Sequence, residues 1–133
     1  MTSILESRTL SVTIACHPRK VYEFASNPEN LPQWATGLGK SVRKSDAGWI
    51  AETPQGPMQL RFAEKNDFGV LDHYVTTAQG VEIYVPMRVV PNGSGSEVIF
   101  TLFKMSGMSD KRFAEDAGMV ERDLKALKGV LER

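Results

Sequence analysis

The sequence predicts an α+β fold in which a curved antiparallel sheet wraps around a long C-terminal helix. Three observations predict it. Apolar and polar residues alternate singly from Thr9 to Ile14 and again through much of 41–103, the period of a half-buried strand. Turn signals recur at short intervals through that second region, so its strands follow one another as antiparallel hairpins. From Ser109 onward the apolar spacing changes to three or four, the period of a helix with one buried stripe.

Each element has its own local cause. Strand one follows from Leu10, Val12 and Ile14 alternating with Thr9, Ser11 and Thr13. His17-Pro18 then sets a proline where the first turn of a helix tolerates it, and Val21, Phe24 and Ala25 follow at helical spacing. Asn27-Pro28 repeats the signal, with Asn as N-cap, before Leu31-Pro32 and Trp34 close a second short helical piece. Between Lys40 and Phe103 six strands are predicted, divided by Asp46-Ala47-Gly48, Pro54-Gln55-Gly56-Pro57, Asn66-Asp67-Phe68-Gly69, Ala78-Gln79-Gly80 and Asn92-Gly93-Ser94-Gly95. With strand one this makes seven. Phe113, Ala117, Val120, Leu124, Leu127 and Leu131 form the stripe of the last helix, with Ser109 as N-cap and about 35 Å of length if it reaches Glu132.

Composition bounds the rest. The 133 residues suit one domain, 1–133, and 16 basic against 16 acidic side chains give no general attraction to nucleic acid or anionic lipid. The single cysteine, Cys16, cannot form an intrachain disulfide, and the N-terminal stretch reads neither as a signal peptide nor as a membrane span. A cytoplasmic protein without a membrane span is expected. The oligomeric state stays open, a homodimer included.

Hairpin partners equidistant from a turn share one face of the sheet. About the Pro54–Pro57 turn, Trp49 is expected opposite Phe62 and Ala51 opposite Leu60. About Asn66–Gly69, Phe62 faces His73 and Leu60 faces Val75. About Gln79, His73 faces Val85 and Val75 faces Ile83; about Gly93-Ser94, Val85 faces Leu102 and Met87 faces Phe100. All four turns agree on one concave row, Trp49, Phe62, His73, Val85 and Leu102, in which His73 alone is polar. The opposite parity gathers Glu52, Gln59, Arg61, Asp72, Tyr74, Glu82, Tyr84 and Arg88, as expected of a solvated face.

Two segments, SVTIACHPRKVYEFASNPENLPQWA (Ser11 to Ala35) and FAEDAGMVERDLKALKGVLE (Phe113 to Glu132), carry a resemblance to the superfamily of START domains, birch-pollen-type allergens and bacterial polyketide cyclase/dehydrase-like proteins. The resemblance implies the helix-grip fold, a seven-stranded sheet around the C-terminal helix with two small helices closing one end. His17 departs from it, standing where many members carry a Ser or Asp cap. The resemblance also implies an internal cavity. It does not select a function, because members bind lipids, hormones, quinones or polyketides and only some are enzymes.

The expected ligand-binding residues are Trp34, Trp49, Leu60, Phe62, His73, Val75, Val85, Met87, Phe100, Phe113 and Val120. The expected partner is a small hydrophobic or aromatic molecule, held by a carrier or sensor. A second reading is a cyclase or dehydratase-like enzyme with His73 as acid or base and Glu64 or Tyr84 assisting. Against it, an inward histidine is commonly tied to a backbone or carboxylate partner. A third reading is a protein-binding module of the co-chaperone or ribosome-associated kind, using outward Tyr74, Tyr84 and Arg88. Met58, Met87, Met105, Met108 and Met119 would give a cavity an adaptable lining, although methionine also simply fills cores. No cofactor is expected: WATGLGKS lacks the first glycine of a phosphate-binding loop, and Gly37 and Gly39 instead release the chain into strand two. No metal is expected, since Cys16, His17 and His73 have no ligand spacing, and no G-x-S-x-G motif suggests a serine hydrolase.

Overall fold

The computed structural model describes residues 3–35, 41–46 and 48–133. Strand β1 (Ser7–Ile14) leads into helix α1 (Pro18–Ala25), a single 3-10 turn (Pro28–Asn30) and helix α2 (Leu31–Trp34). Seven strands follow: β2 (Ser41–Ser45), β3 (Gly48–Thr53), β4 (Gly56–Phe62), β5 (His73–Thr76), β6 (Glu82–Val85), β7 (Met87–Asn92) and β8 (Gly95–Phe103). Helix α3 (Asp110–Leu131) ends the fold. This is the helix-grip arrangement. The reading of Gly37 and Gly39 as the release into β2 lies outside the described residues.

The caps form as local chemistry directs. The His17 imidazole does the work of the absent Ser or Asp, its Nδ1 accepting from Arg19 N at 3.2 Å. Asn27 accepts from Glu29 N at 3.1 Å, and Ser109 accepts from Arg112 N at 3.1 Å. At the far end of α3, Lys128 donates to Thr13 O at 2.7 Å, while Glu132 accepts from Ala15 N at 2.8 Å. Those two bonds tie the last turn of α3 to the end of β1.

Hydrogen-bonded neighbours run β1-β8-β7 in one sheet and β2-β3-β4-β5-β6 in the other. The strand expected as one piece between the Ala78–Gly80 and Asn92–Gly95 turns is broken at Pro86 into β6 and β7. Pro86 O accepts from Thr101 N at 3.0 Å, but proline has no N–H to return, so the ladder with β8 stops there. Pairing of Met87 with Phe100 holds, whereas Val85 and Leu102 lie beyond the ladder. On the other side the register of β5 with β6 continues past the break, through Leu71 N to Met87 O at 2.8 Å and the bridge of Val70 with Arg88. The seven expected strands are therefore present, one of them interrupted.

One hairpin differs from its expected register. Trp49 pairs with Leu60 and Ala51 with Met58, because β3 and β4 are joined by the two-residue turn Pro54-Gln55. Thr53 closes that turn early: its hydroxyl donates to Gly56 O at 2.6 Å and accepts from Gln55 N at 3.2 Å. The shift is two residues, so every side chain keeps its face. Phe62 pairs with His73, Leu60 with Val75, His73 with Val85 and Val75 with Ile83. The core lies between this concave face and α3, and gathers Ile14, Leu31, Leu60, Leu71, Met87, Leu124 and Leu127.

Between β4 and β5 the chain crosses a loop held by Asn66, whose Oδ1 accepts from Phe68 N at 2.9 Å and Val70 N at 3.0 Å. Gly69 in that loop has φ +72°, and a Cβ there would meet Val89 O at 2.1 Å. Gly80 has φ +86° with nothing within 4 Å. Both glycines relieve backbone strain, but only Gly69 also permits a close approach. Gly80→Ala is expected to cost about 1 kcal/mol, the left-handed penalty alone. Gly69→Ala should cost at least about 3 kcal/mol, since it also displaces the bond from Val89 N. Urea melts of the two variants against the parent check the order; equal losses would contradict it.

Candidate functional site

A cavity of about 200 Å³ lies between the concave sheet and α3, closed at one end by α2. Leu31, Trp34 and Ala35 cap it; Phe62, His73, Val75 and Val85 form one wall; Phe100 and Leu102 of β8 form the next. Helix α3 contributes Asp116, Met119, Val120, Asp123 and Leu124. A surface recess of about 400 Å³ is larger, but side chains such as Arg19, Asp67 and Phe68 that bound it are exposed. The cavity beneath α3 is half open and lined mainly by buried and half-buried apolar groups, with Asp116, Asp123 and the exposed Met119 on its helix side, a setting that removes part of a ligand from water.

Of the residues expected to contact a ligand, Trp34, Phe62, His73, Val75, Val85, Phe100 and Val120 line this cavity together. Trp49, Leu60, Met87 and Phe113 do not. Leu60 and Met87 are fully buried core beneath the sheet, Phe113 is buried one turn into α3, and Trp49 sits opposite Leu60 rather than Phe62. Leu31, Ala35, Asp116, Met119, Asp123 and Leu124 were outside the expected set. Leu124 belongs to the stripe already read as core; Asp116, Met119 and Asp123 lie beside it, where two carboxylates read as a solvated flank. Leu31 and Ala35 carried no signal beyond belonging to the cap.

His73 is 7% exposed and stacks on Phe62 with ring centroids 4.8 Å apart, while Phe100 meets its edge at 6.4 Å. Its Nδ1 lies 3.0 Å from Leu71 O. A carbonyl only accepts, so Nδ1 carries the proton and Nε2 of the neutral ring is an acceptor. Burial lowers the imidazole pKa, opposed by the bond to Leu71 and by the nearby Asp72 charge. The ring is therefore neutral at pH 7.

The position of His73 depends on an exchange of partners at the Pro86 break. Leu71 and Met87 face each other at a point where antiparallel strands trade two hydrogen bonds. Only one is made between them, Leu71 N to Met87 O. Met87 N donates instead to Asp72 Oδ1 at 2.9 Å, which leaves Leu71 O for His73. Asp72 also accepts from Arg88 Nε at 3.1 Å, Arg88 Nη2 at 3.0 Å and Tyr84 Oη at 3.0 Å. The Arg88 hydrogen bonds hold the Asp72 carboxyl below the ordinary carboxylate range, against the effect of its burial. Glu64 is exposed and Tyr84 points outward to Asp72, so neither assists His73 in the cavity.

Trp34 is 4% exposed, and its Nε1 is the one buried side-chain nitrogen or oxygen without a hydrogen-bond partner among the described residues. An unmade bond of this kind costs about 1–3 kcal/mol. Asp116 is paired with Arg112 at 3.1 Å. Among the described residues no cluster of three or more His, Cys, Asp or Glu could hold a metal, and no helix is long and apolar enough to cross a membrane.

A family model described as polyketide cyclase / dehydrase and lipid transport matches residues 7–132. Among curated proteins none matches. Solved structures share the fold at low identity. A START superfamily protein from Mycobacterium smegmatis superposes with TM-score 0.67 at 15% identity, covering 95% of this chain and 97% of its own. Ara h 8.0201 superposes at 0.72 and 12% identity, covering 96% and 98%. The Aha1 dimer from Colwellia psychrerythraea superposes at 0.74 and 16%, covering 96% and 97%.

Burial of a neutral His73 has a consequence for stability. Its folded pKa lies below the usual value of about 6.5, so just below that pH the unfolded chain binds more protons than the folded one. The contribution is complete above pH ~6.5 and is lost as pH falls through the folded pKa. Urea melts at pH 7.5 and pH 5 should show stability falling with pH, and His73→Phe should flatten that part of the profile. An unchanged slope in the variant would mean that His73 is not the group responsible.

Proposed function

The chain belongs to the polyketide cyclase / dehydrase and lipid transport family, and from that premise we propose that it binds a small apolar or aromatic molecule between the sheet and α3, as a carrier or sensor. The observation that supports this is the cavity of about 200 Å³ lined mainly by apolar side chains, with the His73 imidazole on the sheet wall and Asp116 and Asp123 on the helix side. Affinity would come from taking apolar ligand surface out of water, at about 25 cal/mol per Å² before ordering costs. The volume restricts the guest. Pockets for drug-sized molecules run roughly 300–1,000 Å³, whereas a dry cavity of about 150 Å³ admits benzene. One substituted ring fits this range; a long acyl chain or a fused three-ring system does not.

A second reading, turnover by His73 as a general base, draws support from its neutral form, whose Nε2 lone pair is the form that can take a proton. No second acid or base is arranged beside it by Glu64 or Tyr84. Binding is therefore the reading the site favours.

Calorimetry with ethylbenzene and anthracene tests the size limit. Ethylbenzene should bind and anthracene should not. A single-ring ligand at a hundred times its Kd should raise stability by about 2.7 kcal/mol, seen as a higher melting temperature. Val120→Trp fills the space from the half-buried side of α3 and should abolish both effects. Retention of the thermal shift in that variant would place the binding elsewhere.

A further inference from the structure

The side-chain polar atoms that the cavity reaches are acceptors. His73 spends its Nδ1 proton on Leu71 O at 3.0 Å, which leaves Nε2 with a lone pair and no protein donor among the described residues. Trp34 Nε1 is the one buried side-chain nitrogen or oxygen there without a partner, so the unpartnered Nε2 is not sealed off as that indole nitrogen is. The His73 ring is only 7% exposed, and the space it lines is the cavity. On the helix side Asp116 gives Oδ1 to Arg112 Nε at 3.1 Å and keeps Oδ2 uncommitted among the described residues. Asp123 sets a second carboxylate on the lining about two turns further along α3. Among the described residues no Lys or Arg lines this space.

We infer that the preferred occupant is a single-ring hydroxyaryl amine in its ammonium form, whose hydroxyl donates to His73 Nε2 and whose ammonium lies on the helix side against Asp116 and Asp123. This rests on the binding reading above and specifies its ligand class. Burial decides which end goes where. His73 stands on the closed sheet wall, where a neutral O–H···N bond replaces one lost to water without moving a charge out of it. Asp116 keeps 23% of its side chain exposed and Met119 is 38% exposed, so an ammonium beside them stays partly hydrated and escapes the cost of full burial. The Arg112 side chain is 65% exposed, and an i,i+4 pair of that kind holds Asp116 weakly. An anion would face two carboxylates with no cation on the lining among the described residues. Phe62 stacked on His73, with Phe100 at its edge, gives the aryl ring flat apolar walls.

The test titrates the whole protein by calorimetry with the positional isomers of hydroxybenzylamine, the matching methoxybenzylamines, the matching hydroxybenzyl alcohols and ethylbenzene. For at least one isomer the hydroxybenzylamine should bind roughly fivefold more tightly than its methyl ether and at least about threefold more tightly than the alcohol. Raising the salt from about 20 mM to about 500 mM should shrink the advantage over the alcohol and spare the advantage over the ether. In the parent protein, with no variant needed, the Nε2 nitrogen resonance of His73 should move upfield with the hydroxybenzylamine and hold with the ether. Variants are read as ratios within each protein. His73→Phe should erase the preference for hydroxyl over ether, and Asp116→Asn combined with Asp123→Asn should erase the preference for amine over alcohol. Glu121→Gln, which removes an exposed carboxylate of α3 from outside the lining, should keep the parent's amine preference. If ethylbenzene binds but either preference is missing in the parent, salt leaves the amine advantage whole or the nitrogen resonance holds, the donor match is wrong while the cavity reading stands. If ethylbenzene and the amines alike fail to bind, and Val120→Trp melts identically to the parent with every compound, the cavity reading itself fails.

Discussion

The site depends on the exchange in which the Met87 N–H bonds Asp72 rather than Leu71, one residue from Pro86, whose missing N–H faces β8. Without it the long strand cannot pair continuously with β8, and the sheet divides into β1-β8-β7 and β2-β3-β4-β5-β6 at that residue. A break in a central strand normally leaves backbone groups unsatisfied, which is expensive in a core. Here the Asp72 carboxylate takes the N–H of Met87, and Arg88 and Tyr84 fill its remaining acceptor sites from the outer face. The carbonyl released on the inner face, Leu71 O, is the one that holds His73. A charge cluster outside the sheet thus decides which nitrogen of a histidine inside it carries the proton.

This arrangement explains why some of the molecule could be read from its residues and some could not. Face assignment depends only on parity, and parity survived the one hairpin whose register moved, because Thr53 displaced the pairing by two residues rather than one. The inward Phe62, His73, Val75 and Val85 were legible for that reason. Depth along the face was not. Leu60 and Met87 point the same way as Val75 and Val85 but lie fully buried in the core, a depth that no alternation pattern encodes. The Pro86 interruption was visible as a letter in the sequence. Its effect depended on which neighbour lay opposite the missing donor, a tertiary fact.

Helix α3 shows the same division. Its core stripe, Phe113 to Leu131, is apolar throughout and stood out by period. The flank beside it carries Asp116, Met119 and Asp123, and polar letters on a helix ordinarily signal solvent. They line the cavity from the helix, with Val85 and Leu102 lining it from the sheet. Trp34 was expected to contact a ligand; that its indole nitrogen has no partner could be known only from its surroundings.

The outer face argues by contrast for where recognition resides. Tyr74 packs against Tyr84 at 5.2 Å, Arg61 sits 4.8 Å above the Tyr74 ring, and Tyr84 donates to Asp72, so these aromatic and charged groups satisfy one another across neighbouring strands. A partner docking there would have to replace contacts already made. Inside, the balance is reversed: the Trp34 donor is unpaired, and a neutral imidazole lines the cavity with its Nε2 lone pair unused by the hydrogen bond to Leu71. A phenylalanine at position 34 would fill the same cap without that cost, and packing alone gives no reason for the indole nitrogen. The interior, rather than the exposed sheet, is therefore where this chain's selectivity is to be sought.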